Sequence, residues 1–297
     1  MTIIELEAHR RTITTPQGPV SCIDVGSGPV ALFVHGLGTN ALLWRHVIRA
    51  FADDRRCVAI DLPLHGRTPA AAGQDFSLSA LAEVVEGVCE TAGLRSVGLV
   101  AHDTGGAVAQ VFAARHSRRL RSLCLTNCET HDNVPPEAFK PTADLAASGA
   151  LAAGAAALLA DPEAARALVF GSGYEDVTHL DLELLRSFLD PVLGTPERAR
   201  QFERFILSLR PDDLLAGEPQ LARLTVPHPD RLGHPGHVLR SVLCLLAQEP
   251  DPRRQRGDRD RRRPPVLPRG APRRSHRRAP KALGPVNVSW TDRRGSS

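Results

Sequence analysis

The side chains best suited to chemistry sit in three loops, each entered from a short apolar run. After Val30–Val34 (VALFV) comes His35-Gly36-Leu37-Gly38, followed shortly by Trp44-Arg45. After 57–60 comes Asp61-Leu62-Pro63-Leu64-His65-Gly66-Arg67-Thr68. After 97–101 (VGLVA) comes His102-Asp103-Thr104-Gly105-Gly106, and then a helical pattern. The glycines of the first loop let a main-chain N–H come close to a ligand. The third loop puts one side chain, Asp103, at a sharp turn between a strand and a helix, with small residues around it. That is the geometry of a nucleophile elbow, in which a reactive atom stands alone and neighbouring N–H groups can bind a developing oxyanion. A plainer reading makes Asp103 a helix N-cap, a place where Asp is favoured.

These loops need elements to hold them. The three apolar runs are short, rich in β-branched residues and closed by turn signals, as buried strands are. Residues 79–92 place Leu81, Val84, Val85 and Val88 at helical spacing, and 107–115 do the same. Strands alternating with helices predict right-handed crossovers and a mostly parallel sheet covered on both faces, an α/β fold. In such sheets the chemistry gathers beyond the carboxyl ends of the strands, where all three loops begin.

In this order and spacing the loops resemble the α/β-hydrolase family. The family's elbow usually reads G-x-Ser-x-G; here Asp103 stands at the nucleophile's place and Ala101 at the first glycine. An Asp elbow followed by Gly105-Gly106, together with Trp44-Arg45, is similar to the haloalkane dehalogenase and epoxide hydrolase branch, over about residues 20–227. The resemblance implies that the Asp103 carboxylate attacks an sp³ carbon, giving an alkyl-enzyme ester that a His-activated water hydrolyses. It implies an oxyanion site at the amides of Leu37 and Thr104, and a substrate pocket bordered by His35, Gly36, Gly38, Trp44 and His102. It implies a small-molecule substrate. Thr104 replaces the Trp that usually follows the nucleophile, Gly38 stands where Asn or Pro is usual, and the chain has one tyrosine, Tyr174. An ester or lactone hydrolase using Asp103 as a base is the alternative on the same fold, and a non-catalytic remnant is another.

A fourth strand is expected at 123–127, leading into Cys128-Glu129-Thr130-His131-Asp132. Some members of the branch carry the acid that orients the catalytic His at this point, which makes Glu129 a candidate; an exposed loop carboxylate is the other reading. His65 and His131 are expected to be loop residues. Residues 133–215 are rich in Ala and Leu, with breaks expected at Pro162, 171–173, Pro191 and Pro196. They fit the family's helical cap, which would wall the pocket with apolar side chains. The core is then 1–132 and the return to it 216–227.

Charge divides the chain. Residues 228–297 hold 16 Arg and one Lys against six acids, a net +11, whereas 1–227 carry 20 basic and 27 acidic residues, a net −7. In this family, 221–227 should lead into a seventh strand, an acid loop and the late His. Instead Arg/Pro-rich sequence begins at His228. A disordered basic tail that binds nucleic acid is one reading. A reading-frame shift near Pro227–His228 is the other, and the stronger. Codons reread one base later permit T-L-I-V-W-G-T-x-D and, further on, D-G-A-H-x-F-F-P-E-E-R, the family's strand and His segments in order. On that reading the last strands and the catalytic His are missing, the protein is impaired, and nucleic acid is not a partner. No metal or cofactor is expected, since there is no phosphate loop, dinucleotide fingerprint or metal-ligand cluster. Cys22, Cys57, Cys89, Cys124, Cys128 and Cys244 read as small core residues. No window reaches the ~18 apolar residues of a membrane span, which points to a cytoplasmic chain. The sequence leaves the oligomeric state open.

Overall fold

A computed structural model describes residues 2–225, Ser172 and Glu175 excepted. The basic segment, the frame-shift junction and Cys244 lie outside the described residues. Six strands form one sheet in the order β1-β2-β4-β3-β5-β6. They are β1 (Arg10–Thr15), β2 (Gly18–Val25), β3 (Val30–Val34), β4 (Arg56–Ile60), β5 (Val97–His102) and β6 (Leu120–Thr126). Strands β4, β3, β5 and β6 run parallel, and β1 and β2 add an antiparallel edge. This hairpin was not anticipated. Its signal was the polar turn Pro16-Gln17-Gly18, where Gly18 takes φ +121°, between two short alternating runs.

Helices α1 (Arg45–Phe51), α2 (Leu78–Thr91) and α3 (Thr104–Arg115) connect the parallel strands. The central strands are buried along almost their whole length, with Ala31, Leu32, Phe33, Val34, Val58, Ala59, Val97 and Leu99 all inaccessible. That is why they read as continuous apolar runs rather than alternating ones. Burying one such side chain contributes about 1.5–3 kcal/mol, so these strands anchor the core. Strand β6 differs: among the described residues it pairs only with β5, and Leu123 and Leu125 stay half-buried.

The cap follows β6. Its longer helices are α4 (Lys140–Ser148), α5 (Ala150–Ala160), α6 (Leu182–Leu193) and α7 (Pro196–Ser208). Pro162 and Pro196 open helices, as expected, but Pro191 does not break α6. A proline removes the hydrogen bond to the carbonyl four residues back, here Ser187. That carbonyl instead accepts from Asn40 Nδ2 at 2.7 Å, so the defect in α6 becomes a tie between cap and core. The return to the core starts earlier than residue 216. Helix α8 (Asp212–Leu221) already packs on the core side, where Asp213 accepts from the Ser79 amide at 2.9 Å and Gly217 lies against Ala114 of α3. Among the described residues no single helix is long and apolar enough to cross a membrane.

Candidate active site

The carboxyl ends of β3, β4, β5 and β6 bring four loops together. At the end of β5, Asp103 holds φ 53° and ψ −134°, a conformation unfavourable for any residue with a Cβ. The surroundings fix it: the Asp103 amide donates to Thr126 O at 3.2 Å, and its carbonyl accepts from Gly106 N at 2.7 Å as α3 begins. A Cβ on Gly105 would fall 2.2 Å from His35 O, so only glycine lets α3 start this close to β3. Asp103 does not cap α3 with its side chain. Its Oδ2 instead accepts from the Leu37 amide at 2.9 Å, and a Cβ on Gly36 would come within 2.4 Å of that same oxygen. The carboxylate therefore lies in a backbone cradle formed by the loop after β3. Thr104 opens α3, in the turn whose amides have no helical partners and whose dipole favours negative charge.

Glu129 is not an exposed loop carboxylate. It is 6% exposed, and its Oε1 accepts from Thr104 Oγ1 at 3.2 Å. Its Oε2 has no hydrogen-bond partner among the described residues. Burial first, and then the Asp103 charge, push its carboxyl up to about 7. Gln110 braces this turn by donating from Nε2 to Glu129 O at 2.7 Å.

Two buried imidazoles shape the cradle. The hydrogen-bond pattern assigns their tautomers: His35 donates from Nδ1 to Gly36 O at 2.7 Å and accepts at Nε2 from the Leu62 amide at 2.9 Å. His65 donates from Nδ1 to Pro63 O at 3.0 Å and accepts at Nε2 from the Gly38 amide at 3.1 Å. Desolvation holds His35 down at about 4 and His65 at about 3, so both are neutral near pH 7. Each thus spans the loops after β3 and β4. Asp61, fully buried, adds to the frame by accepting from Ala41 N, Arg67 N and Arg10 Nη1. His65 also packs edge-on against Phe205 of α7, with ring centroids 5.0 Å apart.

Beside the elbow lies a cavity of 640 Å³. The core side supplies Leu43, Arg45, His46 and His102, and the cap side Gly173, Tyr174 and His179. Of the five residues expected to border the pocket, only His102 does so. His35 uses both ring nitrogens on backbone, Gly36 lies against the Asp103 carboxylate, Gly38 faces Phe202, and Trp44 is buried against Phe33 with its Nε1 unpartnered among the described residues. The wall has Leu43 as its one aliphatic side chain, and arginine, histidine and tyrosine side chains make up most of the rest. His46, Tyr174 and His179 were missed as pocket residues. The polar island at 173–179 within an Ala/Leu-rich cap was the available signal. His131 is an exposed loop residue paired with Glu218. Among the described residues no histidine hydrogen-bonds to Asp103 or Glu129, and no group of three or more metal-ligating side chains is placed to hold an ion.

Residues 29–146 match the family model described as alpha/beta hydrolase fold. A stretch of 104 residues is 35% identical to a pimeloyl-[acyl-carrier protein] methyl ester esterase of Aeromonas hydrophila, covering 35% of this chain and 39% of that protein. Another, of 100 residues, is 30% identical to epoxide hydrolase 4 of Mus musculus, covering 33% and 28%. The chain thus spans well under half the length of these curated relatives. Among solved structures, an ancestral haloalkane dehalogenase superposes with a TM-score of 0.56 at 21% identity, over 73% of this chain and 78% of that one. The chain has the α/β-hydrolase fold and is similar to haloalkane dehalogenases and epoxide hydrolases.

Proposed function

We propose that this protein is a hydrolase in which Asp103 attacks an electrophilic carbon and carries the resulting ester. The observation that carries the reading is the Asp103 carboxylate at a strained strand-to-helix turn, 2.9 Å from the Leu37 amide. In the first step an Asp103 oxygen forms a bond to the substrate carbon, and the halide or epoxide oxygen leaves with the electron pair. In the second, water adds to the ester carbonyl, and the oxyanion rests on the amides of Leu37 and Thr104. The second step needs a base. His35 and His65 are neutral, with both ring nitrogens occupied, and are unfit for it. Glu129, a buried carboxyl with one oxygen unpartnered, is suited to orient an imidazole. We assign that imidazole to the segment displaced by a frame shift near Pro227–His228, so this chain forms the ester and does not turn it over. Resequencing the gene across 225–230 tests the junction.

Intact-mass analysis after incubation with 1-bromobutane or styrene oxide tests the chemistry. A single stable adduct on the Asp103 peptide, absent in Asp103→Asn, is expected; an adduct that survives Asp103→Asn refutes the assignment. The esterase relative supports a second reading, ester cleavage with Asp103 as base. Turnover of a methyl ester with no mass added to the Asp103 peptide favours this base route, because the nucleophile route stops in this chain at the adduct.

A further inference from the structure

We propose that His102 reads the substrate: its Nε2 accepts a hydrogen bond from a hydroxyl or N–H group, so the electrophile this protein takes carries such a donor. The inference rests on the reading of Asp103 as nucleophile and adds the residue that selects for that site.

Strand pairing carries the argument. In the parallel register of β5 and β6, His102 stands opposite Thr126, and its Nδ1 lies 3.1 Å from Thr126 Oγ1. The Thr126 hydroxyl gives its one proton to the Ala101 carbonyl at 3.2 Å, so His102 Nδ1–H is the donor to Oγ1. In the neutral ring that leaves Nε2 as a bare acceptor, since the bond made by one nitrogen sets the state of the other. Nε2 has no partner among the described residues, and the half-buried ring lines the cavity.

The other imidazoles near the site are placed differently. His35 and His65 have both nitrogens bonded to backbone. His46 and His179 also line the cavity but are exposed, where water competes for any hydrogen bond a ligand could make. Among the described histidines only His102 combines a pinned ring, an unclaimed nitrogen and a place in the cavity wall. It closes β5 and is the residue before Asp103, so its acceptor faces a molecule lodged beside the elbow. A substrate with a donor keeps that acceptor satisfied. An apolar analogue strips water from it and returns nothing, and this asymmetry is how a hydrogen-bonding site rejects the wrong molecule.

Three reagents separate a donor from mere polarity. 3-Bromo-1-propanol offers a hydroxyl, 1-bromo-3-methoxypropane an ether oxygen without a proton, and 1-bromobutane a methyl group. The rate of mass addition at the Asp103 peptide at pH 8, divided by each reagent's rate with acetate, removes intrinsic reactivity. The alcohol should then be favoured about five- to tenfold over both others. His102→Phe should abolish the preference, and His102→Gln, which keeps a carbonyl acceptor, should retain part of it; unchanged melting temperatures exclude a folding defect. Thr126→Val should weaken it with His102 still in place, because the ring proton is then free to move to Nε2. A long-range ¹H–¹⁵N spectrum should show His102 protonated at Nδ1 and bare at Nε2. Equal corrected rates, a preference that survives His102→Phe, or a neutral ring protonated at Nε2 overturns the proposal and leaves the nucleophile standing. A shift of the His102 Nε2 resonance on adding 1,3-propanediol, with no mass added to Asp103 by any reagent, upholds the acceptor and overturns the nucleophile. Neither shift nor labelling overturns both.

Discussion

Replacing Glu129 by Gln should make the protein more stable, and by an amount that depends on pH. In the unfolded chain this carboxyl ionises at its ordinary 4.5, whereas in the folded protein burial and the Asp103 charge delay ionisation to about 7. Between those values the folded state keeps a proton that the unfolded state has released, so stability falls as pH rises through the window. Below pH 4.5 both states are protonated and nothing is lost; well above pH 7 the loss levels off at about 3 kcal/mol. The residue is almost inaccessible, so solvent screening does not cancel this term. Glutamine is neutral throughout, keeps an oxygen for the Thr104 hydroxyl, and can place an N–H where Oε2 now has no partner. Urea unfolding of both proteins at pH 5 and pH 8 isolates the effect, because every other titrating group is common to the two. The advantage of Glu129→Gln should be under about 1 kcal/mol at pH 5 and about 3 kcal/mol at pH 8. An advantage equal at the two pH values would sink the electrostatic account. A variant less stable than wild type at pH 8 would refute the burial cost assigned to ionised Glu129.

Other changes read the frame around the site. Asn40→Ala removes the donor to the Ser187 carbonyl freed by Pro191 and the cap on the Leu42 amide, at a cost of about 1–3 kcal/mol. Hydrogen exchange should then quicken in α6 first, and unchanged protection there would show that Asn40 does not hold the cap. His35 and His65 protonate near 6.5 when unfolded but only at about 4 and 3 when folded, so stability that is full above pH 6.5 drains as pH falls through that window. His65→Gln can keep both backbone hydrogen bonds without titrating. Its unfolding midpoint should therefore fall less steeply from pH 6.5 to 4 than that of the wild type, and parallel slopes would refute the assignment.

What the sequence revealed, and what it concealed, follows the range of the interactions. Strands β3, β4 and β5 were legible because burial on both faces leaves a continuous apolar run. The elbow was legible because a sharp turn between strand and helix admits only small neighbours around Asp103. The β1–β2 hairpin was weaker in outline, since an edge that is half exposed carries polar residues such as Arg10, Arg11 and Thr14. The pocket wall could not be read locally, because Arg45 and Tyr174 are 129 positions apart and meet only when the cap closes over α1. Likewise the burial of Glu129 depends on Thr104 and Gln110, which come from another segment. His35 looked like a pocket residue because of its loop, yet its two nitrogens are taken up by backbone that the fold brings to it.

The unrelieved costs of this fold collect at one end of the sheet. Among the described residues only two buried side-chain polar atoms lack a partner, Trp44 Nε1 and Glu129 Oε2. The first belongs to the residue between Leu43 and Arg45, which line the cavity, and the second to the carboxyl coupled to Asp103. Asp103 itself takes a positive φ that its neighbours impose. Asp61, in the neighbouring loop after β4 and equally inaccessible, differs in that it accepts three hydrogen bonds, one from a guanidinium. A sequence selected only to fold would remove strain and orphaned acceptors wherever a neutral substitution allowed it, as Gln at position 129 would. Their presence together, at the carboxyl ends of β3, β5 and β6, is what the proposed reading of Asp103 as a nucleophile predicts. The same reasoning makes Glu129→Gln a test of function as well as of stability, since a substitution that relieves the fold and abolishes hydrolysis in a frame-corrected chain would identify the cost as the one the chemistry requires.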